Sequence, residues 1–153
     1  MASARRKTYK RSILNAPEAR TPEEIAADPR VMYVVVRSDL KLNAGKVGAS
    51  VGHAVQMLME WYMPDIMGHR TSEECLLLAE TREWLREDHP RYAKIVLGAN
   101  SEEFTKVQLE NDGFLVVDRG FTMVAPNTET AFGLYPMKKS EARGIVRTLK
   151  PLR

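Results

Sequence analysis

Residues 31–59 read VMYVVVRSDLKLNAGKVGASVGHAVQMLM, and the order of residue types within them decides the fold. An apolar run over 31–36 breaks at Arg37-Ser38-Asp39. Lys41 and Lys46 follow around Gly45, and helical spacing continues through His53. The run is continuous rather than alternating, so it predicts a central strand covered on both faces. A buried strand, a short basic turn and a helix, in that order, put backbone N–H groups and cationic side chains at the carboxyl edge of a sheet. Anions are often held at that place.

The spacing predicts a helix over about residues 45–62. Val47, Val51, Ala54, Val55, Leu58 and Tyr62 share a face at 3.6-residue periodicity and are expected to meet the sheet. Lys46, Ser50, His53 and Met57 fall on a separate stripe, roughly 120° around the helix. Gly45, Gly48, Ala49 and Gly52 crowd the first two turns. Each glycine costs up to ~1 kcal/mol relative to alanine in a helix, so a ligand or another chain segment is expected to approach closely there. A nucleotide phosphate loop is excluded, because Leu40 stands where its first glycine belongs and Val47 where Ser or Thr belongs.

Working outward, the first 30 residues contain Pro17, Pro22 and Pro29 and no sustained periodicity. They predict a basic, largely irregular extension over 1–30, with one short helix over 22–27, ahead of a single domain over 31–153. The acid-free start resembles a transit peptide in composition, but no secretory apolar stretch follows it. Beyond residue 64, Thr71 with Glu74 forms a capping box for a second helix that Pro90 stops. A strand over 93–97, a helix from Ser101 to about residue 111, strands over 114–117 and 130–135, and an amphipathic helix over 138–149 complete the expected order. This order predicts a three-layer α/β/α fold with a small four-stranded mixed sheet.

Composition bounds the rest. A chain of 153 residues, 44% hydrophobic and 28% charged, is expected to bury a real core. No apolar run approaches the ~18 residues of a membrane span. The single cysteine, Cys75, fits a reducing compartment, and a cytoplasmic location is expected. Three histidines at 53, 69 and 89, with no paired cysteines, give no zinc spacing. Residues 1–12 carry +5 and residues 138–153 another +5, although the formal total is only +3. Much of the balancing negative charge lies in 71–88, with six acids against Arg82 and Arg86. Basic ends fit either a nucleic-acid footprint or plain solvated tails.

The second chemical segment is 118–136. Asp118 ends a strand, and Arg119-Gly120-Phe121-Thr122 then runs into Ala125-Pro126-Asn127-Thr128. Two strand ends that both carry ionisable groups form one site if the sheet places them together.

Taken together, Val35 to Lys41, Lys46-Val47, His53-Ala54, Asp118, Gly120, Thr122, Ala125-Pro126, Thr130, Gly133 and Pro136 resemble the pattern of the second type of peptidyl-tRNA hydrolase. The resemblance covers about residues 31–150 and is specific as a combination. It implies a four-stranded mixed sheet between helices, a homodimer, no cofactor or metal, and hydrolysis of the ester joining a peptide to the tRNA 3′ end. Carried onto these residues, it implies Asp118 orienting or deprotonating water, with His53 as rival base or partner. It also implies Lys46 on the oxyanion or terminal phosphate, and Thr122 on the ribose or the water. Arg37, Lys41, Ser50 and Arg119 would bind substrate. Family members usually carry glutamine in place of Ser50, arginine in place of Phe121 and glutamine near Met123. These departures support an alternative, a catalytically impaired RNA-binding or protein-interaction module that kept the fold.

Overall fold

The computed structural model describes residues 19–63, 71–88, 90–121 and 123–153. The basic 1–12 run lies outside them. The elements are α1 (Pro22–Ala27), β1 (Arg30–Arg37), a 3-10 turn (Ser38–Leu40), α2 (Ala44–Tyr62), α3 (Ser72–Arg86), β2 (Lys94–Ala99), α4 (Ser101–Glu110), β3 (Gly113–Asp118) and β4 (Thr128–Leu134). They are followed by β5 (Met137–Lys138), 3-10 turns at Lys139–Glu141 and Gly144–Arg147, and β6 (Lys150–Pro151).

Among the described residues this is an α/β fold with four helices and one mixed sheet. The sheet has six strands rather than the expected four, in the order β3-β4-β1-β2-β6, with β5 pairing β1 off that path. The two additions, β5 and β6, are each only two residues long. β1 and β2 are parallel, whereas β4 runs antiparallel to both β1 and β3. β1 and β3 therefore point the same way, and the segments after both leave from the same edge. The expected helix over 138–149 is not formed. Short 3-10 turns occupy that stretch and still bury Ala142 and Val146.

β1 is buried along its length, as a strand with no polar alternation should be. Val31, Tyr33 and Val35 enter one core with Phe104 and Val107 of α4. Met32, Val34 and Val36 enter the other with Ala54 and Leu58 of α2 and Trp84 of α3. The helices start where side chains satisfy their free N–H groups: Asn43 accepts from Lys46 N, and Thr21, Thr71 and Asn100 each form a complete capping box.

α2 approaches the sheet closely at Gly133, where an added Cβ would lie 2.9 Å from both Ala54 Cβ and the Met32 methyl carbon. Gly133→Ala is expected to cost about 1–3 kcal/mol in a urea melt, as overpacking does in a filled core. Ala54→Gly in the same chain should return part of that loss. A double variant as unstable as the sum of the two singles would show that the contact is not the cause.

Candidate active site

Lys46 and Asp118 lie 72 positions apart in sequence, yet Lys46 Nζ sits 2.5 Å from Asp118 Oδ2. Lys46 is placed by the first turn of α2, whose start Asn43 fixes with a 2.9 Å bond to the Lys46 N–H. Asp118 is the last residue of β3, and its Oδ1 accepts the Gly120 N–H at 2.7 Å. A cation in the first turn of a helix opposes the helix dipole. The facing carboxylate offsets that cost and is itself favoured there.

The Lys46 ammonium is the main reason that the Asp118 carboxyl titrates below its ordinary value of 3.8; the Gly120 N–H and the nearby His53 act in the same direction. Asp118 is therefore a fixed carboxylate at neutral pH. The loop beyond it turns sharply, with positive φ at Gly120, Met123 and Asn127. Gly120 is required as glycine, because a Cβ at its φ of 79° would lie 2.5 Å from Pro126 N.

An open groove of about 600 Å³ lies beside the pair. One wall is His53, Gln56, Met57 and Glu60 of α2, and the other is residues 115–117 of β3 with Arg119. Val117 and Arg119 of its lining flank Asp118 in sequence, so the groove ends next to the pair, although neither Lys46 nor Asp118 lines it. Lys46, His53, Asp118 and Arg119 are thus gathered in one region.

The remaining expected residues are placed differently. Ser50 is only 3% exposed, and its hydroxyl meets Thr130 Oγ1 at 3.1 Å. It joins helix to sheet instead of facing the groove. The buried line of α2 is Ser50, Ala54 and Leu58, rotated from the expected apolar face toward the Lys46–Ser50 side. Arg37 is committed to Asp39 through two bonds of 2.7 and 2.6 Å and stacks over the Phe104 ring. Lys41 is exposed in a left-handed turn beyond the 3-10 segment. Thr122 lies outside the described residues. Phe121 and Met123 are exposed, at 89% and 59%.

Gln56, Met57 and Glu60 are not among the expected site residues, although Met57 falls on the stripe with Lys46, Ser50 and His53. Their signal is helical spacing, since they follow His53 at intervals of three, four and seven and so lie along one side of α2. Gln56 donates to Glu60 at 3.1 Å along that side.

A family model described as peptidyl-tRNA hydrolase PTH2 matches residues 30–152. The chain is 32% identical over 127 residues to a peptidyl-tRNA hydrolase of Saccharolobus islandicus, covering 79% of this chain and 98% of the relative. It is 30% identical over 127 residues to that of Saccharolobus solfataricus, with the same coverage. It is 32% identical over 127 residues to that of Methanopyrus kandleri, covering 78% of this chain and 96% of the relative. The matched span runs from the first residue of β1 through β6 and holds both halves of the ion pair, and the chain belongs to the PTH2 family of peptidyl-tRNA hydrolases.

Proposed function

We infer that the chain hydrolyses the ester between peptide and tRNA in peptidyl-tRNA, releasing free tRNA and peptide. The observation that carries the reading within the chain is the Lys46–Asp118 pair beside a groove, in a member of this family. Water adds to the ester carbonyl carbon and gives up a proton. The carbonyl oxygen becomes an oxyanion, and the ribose oxygen leaves with a proton to give the free tRNA terminus. Such a reaction needs a proton acceptor and a donor for the oxyanion.

Lys46 supplies the donor, because its ammonium is already held in place by Asp118 and needs no reordering as charge develops. Asp118 orients: a carboxylate held below its ordinary value by Lys46 is a weak proton acceptor at neutral pH, where the best general bases are matched to the medium. His53 in the groove wall takes the water proton. Lys41 and Arg119 contact tRNA phosphates, which position the substrate without reading its sequence. Arg37 can join them only by leaving Asp39. Thr122 keeps its assignment to the ribose or the water on sequence grounds.

A second reading, a binding module that has lost its chemistry, has no contact in its favour: Ser50 has become part of the core, and both charges of the site are present. A homodimer and a cytoplasmic location belong to the same proposal, as does a three-layer arrangement, for which the packing of α2 and α3 in one core and α4 in the other is the support. Purified chain mixed with peptidyl-tRNA labelled in the peptide is expected to release the label as free peptide. No release at high protein concentration sinks the hydrolase reading.

A further inference from the structure

We propose that the open edge of β3 holds the peptide part of the substrate as an added strand, parallel to β3 and with its ester carbonyl at the Asp118 end. The proposal rests on the peptidyl-tRNA reading above and states how that site takes the peptide.

The strand has the form of a docking edge. Among the described residues β3 pairs only with β4, so backbone N–H and C=O groups along its other side point away from the sheet. Proteins usually blunt such an edge with a short strand, with proline or with lysine. The opposite edge follows that rule, since β6 is two residues long and contains Pro151. β3 follows it less closely: its six residues, GFLVVD, include no proline and no basic side chain, and Val117 is 42% exposed, with one irregularity in the pairing to β4 between Val116 and Val117. A long apolar edge left open invites pairing, and the groove lies along it.

The groove also has the right direction and size. At one end of α2, Lys46 meets Asp118, and at the other the Trp61 ring lies 6.4 Å from the Phe114 ring. Helix and strand thus run antiparallel, with His53, Met57 and Glu60 spaced along the gap between those contacts. The groove's volume of about 600 Å³ falls within the usual range for small-ligand sites. Six strand residues extend about 20 Å, which accommodates roughly six residues of extended peptide. The ester is at the peptide's carboxyl end and β3 points toward Asp118, so a peptide placed for reaction runs parallel to β3.

The chemistry favours this occupant over a second copy of the chain. A peptide released from tRNA has no fixed sequence, and main-chain pairing binds an extended peptide without reading every side chain. It leads directly to the ion pair, which a strand from another copy would obstruct.

The test uses the full chain and N-acetyl-tetra-alanyl-tRNA, with one backbone amide N-methylated at a time. Methylation at alternate residues is expected to raise KM about fivefold, the loss of one net hydrogen bond, with kcat little changed. Methylation of the intervening residues, or exchange of alanine side chains for valine or lysine, should change KM by less than about twofold, because those groups do not face the strand edge. Equal KM for every methylated substrate overturns the added strand while leaving the hydrolase reading intact. Dominant side-chain effects overturn it in favour of a pocket that reads residues. Absence of cleavage with every substrate overturns the hydrolase reading, and this proposal with it.

Discussion

Asp118→Asn is expected to lower kcat/KM on peptidyl-tRNA by about 10²–10³, the usual cost of losing one placed electrostatic group at an acyl-transfer centre. The fold should survive, because the side chain lies at the end of an edge strand and Asn can still accept the Gly120 N–H. What is lost is the charge that holds Lys46. The ammonium then becomes mobile and no longer waits at the place where the oxyanion forms. Lys46→Met should cost a similar factor for the complementary reason. The two residues act as one unit, so the double variant should be about as slow as the worse single, since groups that work together lose activity non-additively. A double variant whose loss equals the product of the two singles would mean that Lys46 and Asp118 act separately.

The pH behaviour separates orientation from proton transfer. The folded-state value of Asp118 is depressed below 3.8, mainly by Lys46. Its ionised, paired form is therefore fully present above the ordinary carboxylate range and is lost only as pH falls through the depressed value. Between pH 5 and 8 the Asp118 carboxylate stays ionised. If kcat/KM falls on acidification within that window, the fall should persist in Asp118→Asn and vanish in His53→Ala. His53→Ala should lower kcat by about 10²–10⁴, the range for loss of a general base. A fall that vanishes with Asp118→Asn and survives His53→Ala would return the base role to the carboxylate.

The elements from β1 to β4 were legible because each carries a strong local signal. The run over 31–36 has no polar interruption, and the capping box at Thr71 and Glu74 marks the start of α3 within one residue. The stretch 138–149 misled because the spacing of Ala142, Val146 and Leu149 suits a helix, whereas 3-10 turns bury Ala142 and Val146 just as well. Glu110 receives the Ile145 N–H at 2.8 Å and holds the chain in that turn, a contact 35 residues away that no local pattern carries. β5 and β6 escape for the same reason, since two residues have no period.

Ser50 shows the corresponding limit at the site. Helical spacing puts it on a stripe with Lys46 and His53, but its partner Thr130 is 80 residues away and turns that part of the stripe into core. Lys46 and Asp118 could be connected from sequence only through a family pattern, because nothing in either segment says that β1 and β3 point the same way. That fact depends on β4 lying between them.

Arg30→Ala is expected to have the largest effect on stability, about 3–5 kcal/mol, the cost of breaking a buried ion pair from one side. Arg30 is 3% exposed at the start of β1, and its guanidinium reaches Glu87 at 2.6 Å and Glu80 at 2.8 Å. Glu87 is equally enclosed, at 5% exposed, and also accepts the Arg30 N–H at 3.0 Å and Arg20 at 3.2 Å. Burial works against the Arg30 charge, but the bonds to Glu80 and Glu87 outweigh it and leave the guanidinium more firmly protonated than usual. Two acids of the strongly negative 71–88 stretch are thus used to hold the first residue of the central strand. Removing the arginine leaves both carboxylates with too little positive charge, and the midpoint of thermal unfolding should fall by roughly 10 °C for a domain of this size. Glu87→Gln in the Arg30→Ala background should recover part of the loss, because it removes the buried charge and keeps an acceptor for the Arg30 N–H. Losses that add to within about 0.5 kcal/mol in urea melts would mean that the two residues are not coupled. Turnover measured well below the melting range should change little, because the network anchors the start of β1 while Lys46 and Asp118 are positioned from α2 and the end of β3.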